Sequence, residues 1–87
     1  MINVESVIKI DVKKKLTYAE LLDYQSEQKT IEVFKNYISK YNFDETNEDL
    51  ILFLYKKYSV QYDTIPSGVF ADGKTKAYKM TYIFNLL

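Results

Sequence analysis

The chain has 87 residues, 47% of them hydrophobic, and twelve acidic residues balanced by twelve lysines, with no arginine, histidine or cysteine. A chain of this length buries roughly 60 to 65% of its unfolded surface, enough for one modest core, so one globular domain over residues 1–87 is expected. The missing side chains exclude disulfides, thiolate and imidazole metal sites and the commonest general base, and zero net charge removes the broad attraction on which most nucleic-acid and anionic-membrane binders rely.

From Ile2 to Lys13 the even positions are Ile2, Val4, Ser6, Ile8, Ile10 and Val12, while the odd ones are Asn3, Glu5, Val7, Lys9, Asp11 and Lys13. This period of two predicts a strand with one buried face, ended by Lys13-Lys14-Lys15. Thr17 followed three residues later by Glu20 is a capping-box pattern, predicting a short helix from about Tyr18 to Glu27 that carries Leu21 and Leu22 inward. Ile31, Phe34, Ile38 and Tyr41 form the stripe of a second helix, with Ser26 or Thr30 as its start. The residues leave open whether these are two helices or one bent rod.

The third helix is predicted over Asn47 to Tyr58. Thr46 or Asn47 caps it, Glu48 and Asp49 stand at the positive end of its dipole, and Lys56 and Lys57 stand near the negative end. Its stripe of Leu50, Leu54 and Tyr58, with Ile51 beside it, is expected to meet the sheet. Ile65-Pro66-Ser67-Gly68 should then break any helix or strand running on from Val60 and Tyr62. Asp72-Gly73 predicts a two-residue type I′ hairpin turn, followed by a strand in which Tyr78, Met80, Tyr82, Phe84 and Leu86 share one face.

The order β-α-α-α-β-β gives the expected fold class: a small two-layer α+β domain, with about three helices packed on a largely antiparallel sheet from the first strand and the C-terminal hairpin. A winged-helix domain, three helices and then a hairpin, is the alternative. No motif or spacing points to a family.

The longest apolar run, Leu50 to Tyr55, falls far short of the roughly 20 residues that span a bilayer, so the chain reads as soluble and cytoplasmic, with no membrane partner. The abundance of Lys, Ile, Tyr and Asn over Gly, Ala and Pro indicates an AT-rich gene, as in a low-GC bacterium, its phage or a plasmid.

The serines have no histidine to activate them, and Gly68 and Gly73 belong to no phosphate-binding loop, so neither an enzyme nor a cofactor is expected. Asp44, Glu45, Glu48 and Asp49 lack the spacing of a calcium loop and read as solvated acids at a helix start. Six consecutive apolar residues circle a helix more than once, so the segment has no polar side: Leu52, Phe53 and Tyr55 are either covered by the first two helices or left as an exposed patch of the kind that marks an interaction site. Nine tyrosines add rigid amphipathic rings, enriched where proteins meet, although a small core also uses them at its boundary with water.

Three functional expectations follow. The first is a non-catalytic protein-binding module, an accessory, inhibitory or immunity protein of a phage or mobile element. It contacts its partner through Leu52, Phe53, Tyr55 and Tyr58, with Asp44, Glu45, Glu48 and Asp49 as an acidic rim. The second is a nucleic-acid-binding regulator of winged-helix type using Lys74, Lys76 and Lys79. The third is a homo-oligomer paired through its C-terminal strand.

Overall fold

The structure is a computed structural model that describes residues 5–41 and 47–87. The elements run β1 (Val7–Asp11), α1 (Tyr18–Tyr24), α2 (Glu27–Tyr41), α3 (Glu48–Tyr55), β2 (Tyr58–Val69) and β3 (Lys76–Leu86). They form a small α+β domain whose three strands make one antiparallel sheet in the order β1-β3-β2.

Alternation along the strands builds the core. Ile8 lies opposite Phe84 and Ile10 opposite Tyr82, while from the other side Val60 and Tyr62 face the same two rings. These even-numbered residues share the covered face of the sheet, as the pattern predicts; Ile2 and Val4 lie outside the described residues. Phe34 of α2 is the hub, fully buried, with ring centroids 5.2 Å from Phe84, 5.4 Å from Tyr55 and 5.6 Å from Tyr58. Leu16, Leu21, Ile38, Ile51 and Leu54 complete the helical side of the core.

Local chemistry sets the helix boundaries. The Thr17–Glu20 capping box is formed in both directions: Glu20 N–H donates to Thr17 Oγ1 at 3.2 Å, and Thr17 N–H to Glu20 Oε1 at 3.0 Å. Helix α1 stops at Tyr24, and Ser26 starts a separate α2 by accepting from Lys29 N–H. Only Leu21 of the expected inward pair is buried. Leu22, one residue or about 100° further round, is 53% exposed. The stripe on α2 is centred on Thr30, Phe34 and Ile38, with Ile31 half-buried and the side chain of Tyr41 outside the described residues. Thr30 is buried because its hydroxyl is satisfied twice, by Ser26 O and by Tyr62 Oη, each at 2.7 Å.

Four expectations are corrected. Helix α3 is eight residues long and ends at Tyr55, and Tyr58 opens β2 instead of closing the helix. Strand β2 also runs through Pro66. Leu87 N–H donates to Lys57 O, which fixes the odd residues as those that bond β3. Pro66 therefore turns its missing N–H outward from an edge strand, where no ladder bond is lost. A bulge follows, Ser67 and Gly68 standing opposite Ala77, with Gly68 at φ 73°.

The hairpin connection is also not a type I′ turn, because Gly73 alone among its residues has a positive φ. It spans Ala71–Lys74, closed by Phe70 N–H to Thr75 O and Gly73 N–H to Phe70 O, both 2.9 Å. Asp72 Oδ1 accepts from Lys74 N–H and Thr75 N–H, and its carboxylate also takes the Thr75 hydroxyl. Those bonds hold its pKa below the usual carboxylate value, the Thr75 hydroxyl contributing most.

Finally, the C-terminal strand β3 is the central strand. Its even residues bond β1, as in Val12 N–H to Met80 O, and its odd residues bond β2. The open edges belong to β1 and β2, so β3 offers no edge for pairing with a twin.

Candidate functional site

Helix α3 divides its apolar residues between core and solvent. Asn47 Oδ1 accepts from Leu50 N–H at 3.2 Å, which fixes the first turn, and Glu48 and Asp49 lie exposed beside the positive end of the dipole. From that start, Ile51 and Leu54 point inward, while Leu50 and Phe53, spaced i and i+3, are 42% and 59% exposed. The Lys57 ammonium sits 4.8 Å from the Phe53 ring centroid, and Leu87 N–H donates to Lys57 O at 2.9 Å, bringing the exposed Leu87 to the same end of the helix.

The expected contact residues are therefore placed differently from one another. Phe53 is on the surface and Leu52 is half-buried. Tyr55 is half-buried with its ring edge-on to Phe34, and burial raises its phenol pKa. Tyr58 is a core residue, only 8% exposed, whose hydroxyl donates to Glu5 O; burial is the main cause of its raised pKa. Because β2 begins at Tyr58, that ring follows the pleat inward and leaves the helix surface. Glu48 pairs with Lys35 at 3.3 Å and Asp49 is exposed, whereas Asp44 and Glu45 lie outside the described residues. Leu50, expected on the inward stripe, belongs to the exposed face. Its i, i+3 spacing from Phe53 was the available signal.

The tyrosines mostly serve the interior. Tyr82 donates to Tyr24 O, Tyr62 bonds Thr30, and Tyr37 donates to Glu5 Oε1 at 2.8 Å. Each ring is packed and each hydroxyl reaches a polar partner at the rim of the core.

Lysines from distant parts of the chain also meet. The strand register is anchored by Val12 N–H to Met80 O and resumes at the Leu16–Tyr78 bridge, so Lys13, Lys14 and Lys15 loop out opposite the single residue Lys79. The four surround a cavity of about 430 Å³, with Asp11 and Val12 in its wall. Lys14 pairs with Glu20 at 3.0 Å, which raises the lysine pKa; the Thr17 N–H bond, followed by that lysine, lowers the Glu20 pKa. Among the described residues, Lys15 and Lys79 make no ion pair. Lys74 instead sits at the hairpin tip, and alternation along β3 sends Lys76 and Lys79 to opposite faces, so the expected trio is not one surface.

A second cavity of about 450 Å³ lies between β1 and α2, with Lys9, Ile10, Lys13, Val33 and Tyr37 among its lining. Together these surfaces offer charge pairing, apolar contact and, along β1, an edge that no strand among the described residues pairs with. The chain matches no family model, no curated protein and no solved structure. Among the described residues, no helix is long and apolar enough to cross a membrane.

Proposed function

We propose that this chain is a non-catalytic protein-binding module that acts by occupying a partner's surface, in the manner of an accessory, inhibitory or immunity protein. The observation that carries the reading is the outward side of α3. The core takes Ile51 and Leu54, and Leu50 and Phe53 remain in water, with Lys57 over the ring and exposed acids at the helix start. An exposed aromatic flanked by aliphatic residues and rimmed by charge has the anatomy of an interface centre.

The test is affinity capture from the native host with wild-type protein and Phe53→Asp, after circular dichroism and a thermal melt have matched the two folds. The expected result is a stoichiometric partner held by the wild type and lost by the variant. An unchanged set of partners refutes the α3 surface.

A second reading, nucleic-acid binding, is supported by the gathering of Lys13, Lys14, Lys15 and Lys79. It predicts affinity for mixed DNA or RNA that falls steeply with salt, and it fails if none is seen at low ionic strength.

A further inference from the structure

Strand β1 is an open edge. Since Val12 N–H bonds Met80 O and Leu86 N–H bonds Ser6 O, the even residues of this strand face β3. The N–H and C=O groups of Val7, Lys9 and Asp11 consequently point away from the sheet, and among the described residues no strand pairs with them. Strand β2, the other edge, carries Pro66 and a bulge, two devices that discourage a neighbour. β1 carries neither.

We infer that β1 pairs antiparallel with β1 of a second copy of this chain, joining two three-stranded sheets into one of six strands about a two-fold axis. The register follows from charge. Outward groups bond only if odd residues face odd residues, and centring the axis on Ile10 places each Lys9 opposite the partner's Asp11, giving two opposite-charge pairs on the open face. Sliding the axis to residue 9 sets Lys9 against its own twin. Sliding it to residue 11 sets Asp11 against its twin, so both neighbouring registers are penalised.

The proposed register also uses what surrounds the strand. Ile10 meets its twin at a non-hydrogen-bonded position, where strands approach most closely, on the side of the apolar wall formed by Val33 and Tyr37. Asp11 is already oriented, since Thr81 Oγ1 donates to its Oδ1 at 2.6 Å, and Lys9 makes no ion pair among the described residues.

Sedimentation velocity over a concentration series tests this with wild type, Lys9→Asp, Asp11→Lys and the double exchange. Each single change turns both symmetric pairs into like charges and is expected to raise the dimer Kd about tenfold or more, while the double exchange restores it. A wild type that stays monomeric throughout overturns the inference. So does a dimer that both single variants leave intact, and Phe53→Asp then shows whether α3 holds it. Loss of dimer in the single variants without rescue in the double exchange refutes the register. These outcomes are independent of the capture experiment, because Phe53 and β1 are separate surfaces.

Discussion

Tyr82→Phe separates the two roles of the most deeply buried tyrosine. Its ring, fully buried, stacks on Phe84 with centroids 6.1 Å apart, and its hydroxyl donates to Tyr24 O, one of the end carbonyls of α1 that lack a helical partner. The variant keeps the ring and loses one hydrogen bond, which is expected to destabilise by about 1 kcal/mol near neutral pH. For a domain of this size that corresponds to a Tm lower by about 4–8 °C.

The alkaline limb has the opposite sense. Burial pushes the Tyr82 phenol far above its ordinary value, so the folded protein holds a proton that the unfolded chain releases near pH 10. That contribution is complete below about pH 10 and is lost as pH rises further, by about 1.4 kcal/mol per unit. The phenylalanine variant lacks this loss, and its deficit should shrink and then vanish above about pH 10, while Tyr55 and Tyr58, raised in the same direction, keep part of the slope in both proteins. Urea unfolding from about pH 8 to about pH 11 measures both limbs. A deficit constant across that range refutes the reasoning.

Periodicity made the sheet face and the helix starts legible, because both depend on near neighbours. Thr17 and Glu20 needed only each other, and Met80, Tyr82 and Phe84 needed only the pleat. What failed depended on residues far apart in the chain. Tyr58 continues the stripe of Leu50 and Leu54, yet β3 recruits it as a strand residue opposite Leu86. Pro66 reads as a breaker yet is harmless, because β2 is an edge and the proline nitrogen faces outward, a fact that exists only once strand order is known. The lysines of residues 13–15 and Lys79 are 64 or more positions apart and meet only through the pairing of β1 with β3. That pairing also removes the C-terminal strand from the edge and gives the open position to β1.

Two further substitutions test placements that sequence alone does not decide. Leu54→Ala should cost about 2–5 kcal/mol through a cavity in the core, whereas Phe53→Ala, one residue away, should stay within about 0.5 kcal/mol. Equal losses in chemical denaturation would show that α3 is rotated from the assigned face. Gly68→Ala isolates the backbone at the β2 bulge. A Cβ there meets no atom within 4 Å, so the whole penalty comes from φ 73°, a conformation that L-residues adopt at a cost of about 1–2 kcal/mol. Gly68→Asn should be milder, because asparagine tolerates left-handed backbone better than alanine although its side chain is larger. If crowding were the cause, the order would reverse, and asparagine proving the more damaging in thermal melts would refute the conformational account of the bulge.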